Sequence, residues 1–131
     1  MFFRIESSNG LAIYEQIVRQ VKFAVAGDAL KTGDLVPSVR ELSRDLAVNP
    51  NTVARAYREL QGQGILAPLR GTGLEVTPHA AKHCAQERVS LIRERLRSVL
   101  LEARRSRLDL AEIRTILDEE FSRLEKKGKS P

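Results

Sequence analysis

The chain has no tryptophan, a single cysteine, and only two tyrosines and four phenylalanines among its 131 residues. A core of that composition must be built mainly from Leu, Ile, Val and Ala. The lone Cys84 excludes an internal disulfide and a cysteine-based zinc site. No run of eighteen apolar residues is present, which excludes a transmembrane helix. The opening Met1-Phe2-Phe3-Arg4-Ile5-Glu6 has no apolar stretch followed by a small-residue cleavage site, so no signal peptide is expected. Also missing are a paired acid and base, a nucleophile beside a base, and a phosphate-cradling loop. An enzyme is therefore not expected, and neither is a cofactor or a metal. Hydrophobic residues at 42% and charged residues at 30% favour a folded, soluble, cytoplasmic chain over a disordered one.

The net charge of +5 permits a polyanionic partner, but its distribution is uneven. Residues 1–77 hold nine Lys/Arg against eight Asp/Glu, a balance of +1. Residues 78–131 hold the other thirteen against nine, a balance of +4. Bulk charge alone would put a nucleic-acid site in the tail, so local placement has to decide.

Residues 12–26 read as an amphipathic helix with Ile13, Ile17, Val21 and Ala24 inward, flanked by Tyr14, Val18 and Val25. Gly27 and Gly33 close it and open a turn through Asp34. Pro37-Ser38-Val39-Arg40-Glu41 is a helix start, in which Ser38 and Glu41 have the spacing of a capping box. That short helix turns Val39, Leu42 and Leu46 inward and stops near Ala47-Val48. About three residues later Asn49 is a good N-cap and Pro50 suits the first helical position. Val53, Tyr57 and Leu60 form the inner face of this next helix, which Gly62 and Gly64 end. Two short helices so tightly joined make a helix-turn-helix. Residues 65–69 and 74–77 are strand-like and flank Arg70-Gly71-Thr72-Gly73, a hairpin tip.

The expected fold is therefore mostly α. An N-terminal winged helix-turn-helix of three helices and a β-hairpin wing spans residues 1–77, and a two-helix hairpin spans 78–131. Pro78 marks the boundary. In the tail, Val89, Ile92, Leu96, Val99 and Ala103 form a heptad-like seam. Arg104, Arg105 and Arg107 are expected in a solvated turn. Asp109 with Glu112 is a second capping box, opening a helix with Ile113, Ile116 or Leu117, Phe121 and Leu124 in line. Such stripes need cover, either from the winged domain or from a second copy of the chain. Their extent favours a dimer in which two hairpins form a four-helix arrangement. The candidate dimerisation residues are Val89, Ile92, Leu96, Val99, Ile113, Leu117 and Phe121.

Three segments together resemble the GntR family of bacterial transcription regulators, and within it the YtrA-like subfamily. They are Ile13-Tyr14-Glu15-Gln16-Ile17, Gly33-Asp34 with Pro37-Ser38-Val39-Arg40-Glu41-Leu42, and Asn49-Pro50-Asn51-Thr52-Val53-Ala54-Arg55-Ala56-Tyr57-Arg58-Glu59-Leu60. The resemblance is dense over residues 3 to 77, while the tail fits in length and helix count only. It implies a DNA-binding domain followed by a short dimerisation region, without the large ligand-binding domain of other subfamilies. Ala12 stands where such proteins usually have Pro, which weakens a helix start but no contact. Pro50 and Ala54 stand where many members carry basic residues, so those base contacts do not transfer. Leu74 lies near a place where the family often has an aromatic residue.

A recognition helix reads bases from its exposed, N-terminal face. Opposite Val53, Tyr57 and Leu60 lie Asn51, Thr52, Arg55 and Arg58. Asn51, Thr52 and Arg55 are expected at bases and Arg58 at a phosphate. Asn49 is counted with this set. Ser38 and Arg40 open the preceding helix, whose free amides favour phosphate. Arg40 matches a DNA-contacting arginine of the family, the alternative being an ion pair with Asp34. Arg70, Gly71, Thr72 and Gly73 form the wing tip, where glycine lets backbone approach phosphate or the minor groove. Tyr57 is expected in the core with its hydroxyl at the surface. His79, His83 and Cys84 are expected to be solvated helix-start residues rather than metal ligands. The function expected is that of a homodimeric, sequence-specific repressor on double-stranded DNA, with no membrane partner. A small-molecule effector stays open, without a polar cluster to name. The competing reading is a winged helix used as a protein-interaction module.

Overall fold

The computed structural model describes residues 3–7 and 10–128. In chain order it contains α1 (Ile13–Ala26), α2 (Val39–Leu46), α3 (Pro50–Gly62), β1 (Leu66–Leu69), β2 (Gly73–Val76), α4 (Ala80–Arg105) and α5 (Leu110–Gly128). This is the mostly helical winged helix-turn-helix with two further helices that the local signals imply.

Each start of the central helices follows from capping chemistry. At α2, the Ser38 hydroxyl accepts from the Glu41 N–H at 3.1 Å and the Glu41 carboxylate accepts from the Ser38 N–H at 3.3 Å. Two amides that no helical carbonyl could reach are thereby satisfied. At α3, Asn49 Oδ1 accepts from the Asn51 N–H at 2.8 Å, and Pro50 needs no partner at the first position. The turn between them relies on Ala47, whose φ of 55° is left-handed. There the N–H of Val48 closes back on the Ser43 carbonyl at 3.0 Å. Glycine ordinarily serves at such a position.

Helix α1 has no side-chain cap, because Ala12 occupies the cap position. Its buried face differs from the expected one. Gln16, Ile17, Val18, Val21, Lys22 and Val25 point inward, while Ile13 is 40% exposed. The apolar period begins one turn before the core does. Gln16 instead has a backbone-like role. Its amide accepts from the Glu6 N–H at 2.8 Å and donates to the carbonyls of Glu6 and Leu11 at 2.8 and 3.0 Å. Gln20, one turn on, accepts from the Arg4 N–H at 2.8 Å and donates to the Arg4 carbonyl. The two amides bind the extended lead-in along α1, and Phe3 is buried in the same core as Ile17 and Val21.

The wing is an antiparallel pair in which Leu66 faces Val76 and Leu69 faces Gly73. A third segment joins its edge. The Val36 N–H donates to the Leu74 carbonyl at 3.1 Å and the Val76 N–H donates to Asp34 at 2.9 Å, with Leu35 bridged to Glu75. These bonds tie the approach to α2 directly to the wing. The core around them contains Ile17, Leu42, Val53, Leu60, Ile65, Leu66 and Val76, all at most 2% exposed.

The chain divides into two compact units, Met1–Ser90 and Leu91–Pro131. The start of α4 belongs to the first, because Ala80 and Cys84 are buried in its core. Lys22 Nζ also meets Glu87 Oε1 at 2.7 Å. In the second unit, Asp109 and Glu112 form the expected reciprocal cap of α5 at 2.9 and 3.5 Å. The turn before it uses Arg107 at a φ of 63°.

Candidate nucleic-acid interface

With about 100° per helical residue, burial of Val53, Ala56, Tyr57 and Leu60 leaves Asn51, Arg55 and Arg58 on the opposite side of α3. All three are exposed, and Thr52 at the flank is half-buried. Asn51 stands in the first turn. The carbonyl end of Asn49 is engaged in the cap, which leaves its NH2 group for any outside contact. Arg58 projects one turn further along.

Arg55 is held in a way that local sequence does not reveal. Its guanidinium carbon lies 3.7 Å from the centroid of the Tyr14 ring. Tyr14 is half-buried in the first turn of α1 and its hydroxyl donates to Glu15 Oε1 at 3.3 Å. Residues far apart in the chain thus meet through the packing of α1 on α3.

Tyr57 anchors α3 to the start of α2. Its hydroxyl donates to the Pro37 carbonyl at 2.7 Å, and the residue is 3% exposed. The expectation of a surface hydroxyl is corrected here, because a carbonyl just ahead of the α2 cap takes that proton. Burial, and secondarily the charge of Glu41, push the phenol above its ordinary range. Above this bond, Pro37, Ser38, Glu41, Thr72, Gly73 and Leu74 line part of a groove of about 550 Å3 between α2 and the wing.

Arg40 is exposed on the first turn of α2. No ion pair to Asp34 forms among the described residues, and the Asp34 carboxylate instead accepts from the Lys31 N–H at 2.8 Å. Arg70, Gly71, Thr72 and Gly73 are all exposed at the wing tip. Gly71 and Gly73 have φ of 72° and 124°, where a side chain would be strained. The Thr72 hydroxyl lies within 3.3 Å of the carbonyls of Leu69 and Arg70, so it closes the turn.

His79, His83 and Cys84 do not converge. Among the described residues no group of three or more His, Cys, Asp or Glu side chains is placed to hold a metal ion. His79 packs over Gly64, where an added Cβ would lie 2.9 Å from its Nε2. His83 Nε2 is 3.2 Å from Glu87 Oε2. Cys84 is not a solvated helix-start residue as expected but a core residue at 1% exposure. Its thiol is pushed up, first by burial and then by Glu87, with Lys22 opposing.

On α4 and α5, Val89, Ile92, Leu96, Val99, Leu117 and Phe121 are between 47% and 60% exposed in the single chain, while Ile113 is half-buried. Leu110, Ile116 and Leu124, outside the candidate dimerisation residues, are exposed to a similar degree. Leu96, Val99, Leu100, Ala103, Ile113 and Leu117 line part of an apolar groove of about 370 Å3 along the hairpin. No helix among the described residues is long and apolar enough to cross a membrane.

Residues 13–76 match the family described as "Bacterial regulatory proteins, gntR family". The chain is 34% identical over 110 residues to the HTH-type transcriptional repressor YtrA of Bacillus subtilis (strain 168), covering 84% of this chain and 85% of that protein. A match of that length extends into the residues after the wing. Among solved structures, a transcriptional antiterminator from Listeria monocytogenes EGD-e superposes with a TM-score of 0.65 at 31% identity, covering 92% of this chain and 90% of that one. The GntR-family transcription factor YtrA from Sulfolobus acidocaldarius superposes with a TM-score of 0.55 at 32% identity, covering 70% of this chain and 94% of that one.

Proposed function

Because the chain belongs to the GntR family of bacterial regulatory proteins, we propose that it is a homodimeric, sequence-specific DNA-binding repressor that acts on an inverted-repeat operator. One observation carries this reading: Asn51, Arg55 and Arg58 are exposed together on the side of α3 turned away from the core. Asn51 offers an amide that fits adenine, Arg55 a planar fork that fits guanine, and Thr52 a methyl that fits thymine. Arg58, Arg40, Arg70 and the capped start of α2 at Ser38 serve the phosphate backbone. Gly71, Thr72 and Gly73 bring the wing backbone close to it, and Asn49 adds its free NH2 group. Base contacts then select the site while phosphate contacts hold register on it.

In this reading residues 1–77 bind DNA and residues 78–131 join two copies. A monomer with Ile92, Leu96 and Phe121 half-exposed leaves an apolar surface that a second hairpin would cover. Two recognition helices related by a two-fold axis select half-sites about one helical turn apart, roughly 10 bp centre to centre. Occupancy of such a site in a promoter excludes polymerase, and the relative named a repressor supports that sign of regulation. The protein works in the cytoplasm, without enzymatic activity, metal or cofactor.

Selection of bound duplexes from a random pool by the purified protein tests the proposal. The expected outcome is an inverted repeat with the spacing above, bound by a dimer in light scattering. Polar replacements of Ile92, Leu96 and Phe121 are expected to give monomers that bind half-sites weakly. A pool that shows no enrichment would leave the protein-interaction reading in its place, and a wild-type chain that is monomeric at micromolar concentration would overturn the dimer.

A further inference from the structure

We infer that Tyr14, on α1, is a positioning residue for Arg55 and brings the first turn of α1 into the determination of DNA sequence preference. The inference rests on the reading above, in which Arg55 contacts a base. The guanidinium lies over the Tyr14 ring with its carbon 3.7 Å from the centroid, well inside the distance at which a cation is attracted to an aromatic face. A long arginine side chain on a helix surface ordinarily samples many rotamers, and ordering it on binding opposes the contact it makes. A stack restrains those rotamers before DNA arrives.

The choice of an aromatic partner matters chemically. An ion pair with a carboxylate would occupy the N–H edges of the guanidinium and neutralise its charge. A stack uses only the π face of the plane, so the five N–H donors stay available along its edges. Among the described residues no acceptor is hydrogen-bonded to the Arg55 guanidinium. The fork is therefore oriented and unspent, the state a bidentate contact with guanine requires. The support is itself fixed, since the half-buried Tyr14 packs against the hydrophobic core.

The test uses the full-length dimer and the duplex it selects from random DNA, with a random duplex of equal length as reference. The quantity read is the ratio of the two affinities. Tyr14→Leu keeps an apolar side chain against the core but removes the π face, and Tyr14→Phe keeps the face. Tyr14→Leu is expected to lower the ratio about two- to fivefold per half-site, the range for an exposed cation–π contact. Tyr14→Phe is expected to stay within about twofold of wild type. In an Arg55→Ala background, Tyr14→Leu is expected to cause no further loss. Thermal melting of each variant separates a folding defect from this effect. If Tyr14→Leu lowers the ratio equally in both backgrounds, or not at all while Arg55→Ala lowers it, the positioning role is wrong and the base-reading role of Arg55 stands. If Arg55→Ala itself leaves the ratio unchanged, the base contact is wrong and the positioning role falls with it.

Discussion

Removing one charge from the Lys22–Glu87 pair should be far more damaging than removing both. Lys22 Nζ and Glu87 Oε1 are 2.7 Å apart, with side-chain exposures of 5% and 27%. Glu87→Gln retains the volume and a hydrogen-bonding oxygen but leaves the ammonium of Lys22 buried without a counter-charge. Breaking a fully buried pair costs about 3–5 kcal/mol. Glu87 reaches water and the lysine stem can bend toward it, so about 2–3 kcal/mol is the expected loss here. For a unit the size of Met1–Ser90 that corresponds to a fall in Tm of roughly 10–20 °C. Lys22→Met with Glu87→Leu removes both charges and their desolvation, and should lie within about 1 kcal/mol of wild type. Urea unfolding followed by circular dichroism compares the three proteins, with an unchanged m-value confirming that compactness is preserved. A loss below about 0.5 kcal/mol for Glu87→Gln, the ordinary value for a surface pair, would refute the reasoning.

Other substitutions test neighbouring parts of the account. Tyr57→Phe leaves the Pro37 carbonyl without its donor and should cost about 1–2 kcal/mol in the same urea assay; a neutral result would mean that water replaces the hydroxyl. Ala47→Gly relieves the left-handed φ of 55° and should stabilise the chain by about 1 kcal/mol, read as a rise in Tm; a fall would mean the turn is not strained. The Cys84 thiol is raised in the fold above its ordinary value of 9.0, so its contribution is complete below that pH and is lost as pH rises through it. Wild-type stability should therefore decline above about pH 9, and Cys84→Ala should remove that part of the slope. Equal slopes for both proteins between pH 9 and 10 would contradict the buried, protonated thiol.

Where a signal is local, the sequence discloses it. The caps at Ser38, Asn49 and Asp109 each depend on residues two or three positions apart, and all three form. The alternation of Val53, Tyr57 and Leu60 likewise fixes which side of α3 is free, because one helix period decides it. Contacts made by packing distant segments leave no such trace. The bridge from Leu35 to Glu75 is too short to show strand periodicity. Burial of Lys22 contradicts the ordinary behaviour of lysine and depends on Glu87 from another helix. Ile13 continues the apolar period of α1 yet finds no core beside it. The stack of Arg55 on Tyr14 belongs to the same class, since it needs α1 and α3 docked before either residue faces the other.

The central claim is that one face of α3 reads bases while other residues only hold the DNA. The affinities of Asn51→Ala and Arg40→Ala for the selected duplex and for a random duplex test this most directly. Asn51→Ala should lose about 1–3 kcal/mol per half-site on the selected duplex, roughly five- to 150-fold, and almost nothing on random DNA. Arg40→Ala should weaken both duplexes alike and reduce the slope of log affinity against log salt by about one per half-site. Equal losses on both duplexes for Asn51→Ala would contradict the account, because a base-reading side chain cannot be indifferent to sequence.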